Sequence, residues 1–251
     1  EVPSSAGEDL ARLQVAEEAA EAATSAAGKN VPMSRHTPEE IDIAAATAAS
    51  SRPGAVGAKA LVPRAVLQEV PKADRGFVSV LEFGAGPKAP HAELFRREGF
   101  QNVTAYDLPT SIREGIHDPD ALIRKYDVIN ASNVLNVQAT KRMLTNTLSE
   151  LRNSVKEEGF IIANFPITPR KGAYEGIGTN KQQTDYLISK IKEQFNSVER
   201  ITVKGSKDRN VFKISKPKAD AEVRIITEPP ATTVRPTTEL PLATGTGRII
   251  N

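Results

Sequence analysis

Two glycines one residue apart follow a short apolar run and form the first candidate for a ligand site. The run 78–83 contains the acidic residue Glu82 and leads directly into Gly84 and Gly86. A buried strand that ends in a glycine turn and continues into a helix brings backbone N–H groups close to a nucleotide-like ligand. Glycine suits such a turn because a Cβ atom would block the turn or the ligand. A strand–helix turn without any ligand uses the same residues, so this pattern alone assigns no function.

Polar residues also end the next two apolar runs of the chain. Asp107 ends one run, at a position where a carboxylate can accept both hydroxyl groups of a ribose. Asn130, Ser132 and Asn133 surround the end of the other run. Because the carboxyl ends of parallel strands meet at one edge of a sheet, we expect these groups to surround one site. Each residue could instead serve the structure alone. Asp107 could form a turn or a helix cap, and the other three could hydrogen-bond to the backbone at a strand end.

Alternating strands and helices are predicted to position these residues. The apolar patterns predict strands over residues 77–83, 102–106, 126–131 and 160–165, helices over 91–98, 140–156 and 183–195, and a closing hairpin over 197–203 and 210–214. We expect Glu158 and Gly159 to end the second of these helices. The alternation predicts an α/β fold, Rossmann-like and doubly wound, with a mostly parallel sheet and an antiparallel final hairpin.

Composition divides the chain into one domain and two long arms. Residues 1–76 and 217–251 contain no Phe, Tyr or Trp, and the first is rich in Ala while the second is rich in Thr and Pro. The core is therefore predicted within 77–216, a normal size for one domain. The C-terminal arm is expected to be extended. The N-terminal arm is expected to be partly helical, with capping boxes at Ser5-Ala-Gly-Glu8 and Thr37-Pro-Glu-Glu40 and a short helix over residues 64–70.

Bulk composition excludes several kinds of site. The chain carries 33 basic and 31 acidic residues, a net charge of +2, so no overall field favours nucleic acid as a partner. It has no cysteine, which excludes disulfides, thiolate metal sites and a cysteine nucleophile. With three histidines in total, we expect no metal site.

Three stretches resemble motifs of the class I S-adenosylmethionine-dependent methyltransferases. Leu81-Glu-Phe-Gly-Ala-Gly86 is similar to their first motif, Tyr106-Asp107 to their ribose-binding acid, and Asp127-Val-Ile-Asn-Ala-Ser-Asn133 to their fourth motif. The continuation Asn133-Val-Leu-Asn-Val137 is similar to a variant found in phage and bacterial methyltransferases. The resemblance covers residues 77–215, and it implies a compact methyltransferase-like fold with S-adenosylmethionine as the cofactor.

The resemblance also implies roles for the candidate residues. Those implied to bind the cofactor are Glu82, Gly84, Gly86 and Asp107, and those implied to face the methyl group and the acceptor are Asn130, Ser132 and Asn133. The interval between Asp107 and Tyr126 leaves little room for the third strand and helix of the family. The adenine contact is therefore expected from His117 or Asp118, the polar residues available there.

Two classes of function remain open at this point. One is an active methyltransferase whose acceptor is a nucleic acid, a protein side chain or a small molecule. The other is the same fold used as a structural component of a large assembly such as a bacteriophage virion, with both arms held by neighbouring protein subunits. No apolar run approaches the roughly 20 residues that cross a bilayer, and no secretory leader pattern is visible. The expected location is therefore the cytoplasm or a virion, with no membrane partner.

Overall fold

The fold is known from a computed structural model that describes residues 36–49, 60–166, 176–207 and 210–219. Within these ranges the helices are α1 (Pro38–Ala49), α2 (Leu61–Glu69), α3 (Pro90–Arg97), α4 (Lys141–Ser154) and α5 (Asn180–Gln194). The strands are β1 (Ser79–Phe83), β2 (Asn102–Tyr106), β3 (Tyr126–Ala131), β4 (Val155–Asn164), β5 (Phe195–Arg200) and β6 (Val211–Pro217). The predicted capping box at Ser5-Ala-Gly-Glu8 and the C-terminal arm beyond residue 219 lie outside the described residues.

The described strands form one six-stranded sheet in the order β2-β1-β3-β4-β6-β5. β2, β1, β3 and β4 run parallel, whereas β6 is antiparallel to both β4 and β5. α2 and α3 cover one face of the sheet, and α4 and α5 cover the other. This arrangement confirms the predicted α/β doubly wound fold with its antiparallel final hairpin.

Each face of the sheet buries its own apolar core. Leu148 of α4 and Ile191 of α5 are buried against Ile129 of the sheet. On the opposite face, the core contains Val66 of α2 and Phe95 of α3. Full burial of such a side chain stabilises the fold by about 1.5–3 kcal/mol. The strand ends are therefore held between two packed helical layers.

The core reaches further toward the N terminus than the predicted boundary at residue 77. α2 begins at Leu61, three residues before its predicted start, and its Val62 and Val66 side chains are fully buried. β1 in turn begins at Ser79, and Phe77 is 87% exposed. Valine and alanine bury the inner side of α2 without any aromatic residue, which is why aromatic content misplaced the boundary.

The prediction that Glu158 and Gly159 end a helix is wrong. α4 ends at Ser154, and β4 begins at the next residue, five positions before its predicted start. Gly159 lies inside β4, where an added Cβ would stand 2.8 Å from the carbonyl oxygen of Asp127 and 2.9 Å from that of Tyr126. The register between β3 and β4 shifts at the same place. Gly159 therefore allows two strands to approach closely at an irregularity.

The last predicted helix and the hairpin are also shifted along the chain. α5 begins at Asn180 because Thr179 caps it in a capping box with Gln182. Phe195, predicted as the end of that helix, is instead the first residue of β5. In contrast, the predicted strands 102–106 and 126–131 have the bounds of β2 and β3.

The predicted capping box of α1 is present. The Thr37 N–H donates to Glu40 Oε2 at 3.0 Å, and the Glu40 N–H donates to Thr37 Oγ1 at 3.3 Å. Glu40 also accepts from Arg142 Nη2 at 2.6 Å and from the hydroxyl of Thr140, which caps α4. Ala44 belongs to a small apolar cluster that includes Leu108 as a partly buried member. α1 thus docks beside the start of α4 and beside the residue that follows Asp107.

Candidate functional site

The turn after β1 is bonded to the end of β2. Gly84 has φ +72° and Gly86 has φ +70°, values that favour glycine because a Cβ is strained there. The N–H groups of Gly84 and Ala85 both donate to the carbonyl oxygen of Tyr106 at 2.9 Å. The first two parallel strands therefore end at one shared, hydrogen-bonded turn.

The two glycines of this turn have different surroundings. A Cβ added to Gly84 would stand 2.6 Å from Cγ2 of Val134, in the segment after β3. For Gly86, no heavy atom of the described residues lies within 4 Å of the added Cβ, apart from Gly86 itself and its two chain neighbours. Gly84 is thus required for packing, whereas Gly86 leaves room for a ligand to approach the backbone.

Asp107 lies against this open glycine. Its Oδ2 accepts from the Gly86 N–H at 2.5 Å, and its Oδ1 accepts from the Leu108 N–H at 2.7 Å. Burial raises the pKa of the Asp107 carboxyl, and the hydrogen bonds from Leu108 and Gly86 and the nearby His117 offset part of that rise. A carboxylate has about four acceptor positions, so both oxygens retain capacity for hydroxyl donors.

Glu82 supports the start of α3. Its Oε2 accepts from the Ala92 N–H at 2.5 Å, and its Oε1 lies 3.2 Å from Nδ1 of His91. The side chain is only 2% exposed. A carboxylate at a helix N terminus stabilises the helix through the exposed N–H groups of the first turn. Glu82 therefore stabilises the helix that follows the turn, and its carboxylate is buried against Ala92 and His91.

His117 and Asp118 lie in the connection between β2 and β3, and their side chains differ in placement. Nε2 of His117 is 2.9 Å from the carbonyl oxygen of Gly86, and its Nδ1 accepts from the Arg113 N–H at 3.0 Å. The Asp118 side chain pairs with Arg124 at the surface. The structure thus places His117, but not the Asp118 carboxylate, in contact with the glycine turn.

The asparagines around the end of β3 separate into two environments. Asn130 is fully buried between Glu82 and Ile162 of the neighbouring strands, and among the described residues neither side-chain polar atom of Asn130 has a hydrogen-bond partner. Asn133 adopts φ +58° and is half-buried. Its Nδ2 donates to Ser132 Oγ at 3.3 Å. Ser132 and Asn133 therefore follow the carboxyl end of β3 and are half-buried, whereas Asn130 lies within the strand and is fully buried.

Asn164 at the end of β4 is a residue of this region that the sequence patterns did not single out. Its Oδ1 accepts from the Asn133 N–H at 2.6 Å, and its Nδ2 donates to Asn133 Oδ1 at 2.9 Å. This reciprocal pair joins the ends of β3 and β4. A polar residue at the end of an apolar run, the signal that identified Asp107, was also present at Asn164.

A buried polar cluster between β2 and α4 was also missed. Nε2 of His36 is 3.3 Å from Oε2 of Glu150, and both side chains are at most 9% exposed. Burial raises the pKa of the Tyr106 hydroxyl, and the charges of Glu150 and Asp107 raise it further. Tyr106 therefore remains protonated at neutral pH. These side chains are His36, Tyr106, Asp107 and Glu150, and no local pattern connects positions so distant in the chain.

Two further observations concern the part of the chain that the structure describes. No group of three or more His, Asp or Glu side chains is placed there to hold a metal ion. None of its helices is both long enough and apolar enough to span a membrane.

Among known proteins, this chain has similar solved structures but no relatives that its sequence identifies. No protein-family model matches the chain, and no curated protein matches its sequence. A TehB-like S-adenosylmethionine-dependent methyltransferase from Corynebacterium glutamicum is similar with 17% identity and a TM-score of 0.43, over 69% of this chain and 97% of its own. The N-methyltransferase NodS from Bradyrhizobium japonicum has 14% identity and a TM-score of 0.42, over 62% of this chain and 94% of its own.

A third similar structure is a methyltransferase from Bacteroides fragilis in complex with S-adenosyl-L-homocysteine. It has 14% identity and a TM-score of 0.39, over 59% of this chain and 78% of its own. Similarity at this level does not assign an activity to this chain, so the function must be argued from the site itself.

Proposed function

We propose that the chain binds S-adenosylmethionine where β1 and β2 end and transfers the methyl group to an acceptor that approaches beside Ser132 and Asn133. The observation that carries this proposal is the contact between Gly86 and Asp107, whose N and Oδ2 atoms are 2.5 Å apart. It joins a glycine with open space in front of its backbone to a carboxylate with remaining acceptor capacity.

The residues present fit a nucleoside bound at this edge. Asp107 would accept the two ribose hydroxyls, and the backbone around Gly86 would lie beside the methionine part of the cofactor. Glu82 would contribute indirectly, because its carboxylate already holds Ala92 and His91. The side chain of Leu108, half-buried beside α1, would offer an apolar surface next to Asp107.

The cofactor supplies an electrophilic methyl group on its sulfonium, so the protein must mainly position the two reactants and exclude water. Ser132 and Asn133 would orient the acceptor, because they adjoin Val134, which packs against the glycine turn. A strong general base is not required for such a transfer. The chemical class of the acceptor stays a prediction, with nucleic acid, protein side chain and small molecule all open.

The alternative function, a structural component of a large assembly such as a phage virion, depends on the two arms. Residues 1–35 and 220–251 lie outside the described residues. The binding of partner subunits by the arms therefore stays a prediction. The geometry of the site favours the methyltransferase.

Calorimetric titration with S-adenosylmethionine and S-adenosylhomocysteine tests the proposal. We expect both to bind, and we expect Asp107→Asn to weaken binding by about 1–3 kcal/mol through lost charge-assisted hydrogen bonds. Asp120→Asn is the matched control, because Asp120 is an exposed carboxylate in the same connection. If neither compound binds at millimolar concentration, the proposed function is wrong.

A further inference from the structure

The connection between β2 and β3 must be held against the glycine turn without a strand of its own. Residues 107–125 contain two short 3-10 turns, Pro109–Ser111 and Ala121–Ile123, and no strand. β2 is therefore the edge of the described sheet. One backbone bond, from the Asp118 N–H to the carbonyl oxygen of Ala105 at 2.9 Å, joins the connection to β2. The side chain of His117 provides a second link, to the glycine turn itself.

The partners of His117 determine its tautomer. The Arg113 N–H donates to Nδ1, which must therefore carry a lone pair. Gly86 offers a carbonyl oxygen to Nε2, so Nε2 must carry the proton. The imidazole is thus neutral and protonated on Nε2. Since both ring nitrogens are engaged with the protein, His117 has no hydrogen-bonding group left for adenine, the role expected of it from the sequence.

The peptide groups of Gly86 are held from two sides. Its N–H donates to Asp107, and its carbonyl oxygen accepts from the Ala89 N–H at 3.1 Å as well as from His117. Gly86 has φ +70° and no side chain, and no described atom packs where its Cβ would be. Hydrogen bonds rather than packing must therefore fix its conformation.

We propose that neutral His117 is a positioning residue for the cofactor site, fixing the Gly86 carbonyl so that the glycine turn and Asp107 keep the geometry that binds the cofactor. His117 is 8% exposed and acts through Gly86. The proposal rests on the proposed function, because it names a determinant of cofactor affinity.

Protonation of His117 would disturb this arrangement. A proton on Nδ1 would face the Arg113 N–H, so two donors would oppose each other. The charged groups around the ring are Asp107 at the end of β2, and Arg113 and Asp118 in the connection itself. The Arg113 guanidinium donates to the carbonyl oxygens of Thr110 and Ile112, and Asp118 pairs with Arg124. The two hydrogen bonds of the ring therefore depend on an Nδ1 atom that carries no proton.

Two amide substitutions separate the two bonds of the ring. In His117→Gln the side-chain N–H₂ can reach the position of Nε2 and donate to Gly86, while the acceptor for Arg113 is lost. In His117→Asn the side-chain oxygen can accept from Arg113, while the group is too short to reach Gly86. A purely structural role in the connection would favour the Asn variant, whereas the proposed role favours the Gln variant.

The experiment measures S-adenosylhomocysteine affinity by calorimetry for the whole chain and both variants at one neutral pH. Loss of one such hydrogen bond corresponds to about tenfold in affinity. We expect His117→Gln to bind within about threefold of the unmodified protein and His117→Asn to bind about tenfold more weakly. Equal affinities for the two variants, or tighter binding by His117→Asn, would overturn the proposal.

A measurement without cofactor tests the link itself. Nitrogen-15 chemical shifts of the His117 ring should identify a neutral imidazole protonated on Nε2. The Gly86 amide resonance should stay sharp in His117→Gln and broaden in His117→Asn. A ring protonated on Nδ1 would refute the link, even if the protein bound no cofactor. Absence of cofactor binding by the unmodified protein with the expected tautomer would instead reject the proposed function.

Discussion

The two halves of the candidate site satisfy their polar groups in different ways. The turn half comprises residues 82–92 and 105–118 around the ends of β1 and β2. There the carboxylates bind backbone N–H groups, Glu82 that of Ala92 and Asp107 that of Gly86. Charge-assisted bonds of this kind are short and strong. The turn half is therefore a backbone frame held in place by buried acids.

The asparagine half comprises residues 130–134 and 164 around the ends of β3 and β4. There the amide side chains of Asn133 and Asn164 bind each other, and the side-chain amide of Asn130 has no hydrogen-bond partner among the described residues. Neutral amides can donate and accept, so this half can adapt to different groups. In the proposed function, the turn half would hold the cofactor, and the more adaptable asparagine half would face the acceptor.

The largest expected effect comes from a substitution at the contact between the two halves. Gly84→Ala would place a Cβ 2.6 Å from Val134 at φ +72°. Backbone strain and overpacking together should lower the free energy of unfolding by about 2–5 kcal/mol. Gly86→Ala has similar strain but open space, so we expect a loss of about 1–2 kcal/mol. Urea unfolding followed by circular dichroism measures both.

The double variant Gly84→Ala with Val134→Ala isolates the overpacking. Removing the Val134 methyl groups should restore part of the stability lost in Gly84→Ala, although not the part due to backbone strain. Equal losses for Gly84→Ala and Gly86→Ala would show that Val134 does not join the two halves. For cofactor affinity we expect the reverse order, with Gly86→Ala the more harmful change among folded variants.

The second-largest expected effect comes from a substitution that removes the amide pair of the asparagine half. Asn164→Ala deletes both hydrogen bonds to Asn133, one of them to its backbone N–H. We expect a loss of about 1–3 kcal/mol in the free energy of unfolding. The matched control is Asn153→Ala, since Asn153 is exposed on α4. If both variants unfold at the same urea concentration, the amide pair does not stabilise the ends of β3 and β4.

The fold class was predictable because its signals are local and periodic. The apolar runs of β2 and β3 have clear ends at Tyr106 and Ala131, and the predicted bounds match. The rule that parallel strands end at one edge was enough to expect Gly86 near Asp107, and the structure places them in contact. These inferences need only residue type, spacing and the geometry of a parallel sheet.

The remaining features depend on contacts between distant parts of the chain. His117 and Gly86 are 31 positions apart, as are Asn133 and Asn164, and no periodic pattern marks either pair. The burial of Asn130 follows from its register between Glu82 and Ile162, which sequence spacing does not reveal. The packing of α2 was missed because aromatic content set the predicted boundary, whereas the buried side of α2 carries valine and alanine.

A third prediction tests the unpartnered amide of the asparagine half. A buried polar group without a partner costs about 1–3 kcal/mol, so Asn130→Leu should leave the stability unchanged or raise it by as much as about 2 kcal/mol. Asn102→Leu, at an exposed strand position, is the control. Thermal unfolding gives the comparison. A clear loss of stability in Asn130→Leu alone would mean that a buried water or another group satisfies the amide.

The smallest expected effect is a difference in pH dependence between Asp107 and Glu40, which holds α1 against the start of α4. Burial raises the pKa of Asp107 above its ordinary value of 3.8. For Glu40, burial alone would raise the pKa, but hydrogen bonds from Thr140 and Thr37 and the charge of Arg142 bring it below its ordinary value of 4.5. The two carboxyls therefore affect stability with opposite signs.

The signs follow from proton binding. A lowered pKa means that the unfolded state binds the proton more tightly, so the stability from Glu40 is present above pH 4.5 and is lost as the pH falls through its folded pKa. A raised pKa means that the folded state binds the proton more tightly, so the contribution of Asp107 declines as the pH rises from 3.8 through its folded pKa. Urea unfolding between pH 3 and pH 7 should therefore show that the free energy of unfolding of Glu40→Gln approaches that of the unmodified protein at low pH. The stability of Asp107→Asn relative to the unmodified protein should instead increase as the pH rises. Parallel pH profiles for the two variants would contradict the assigned directions.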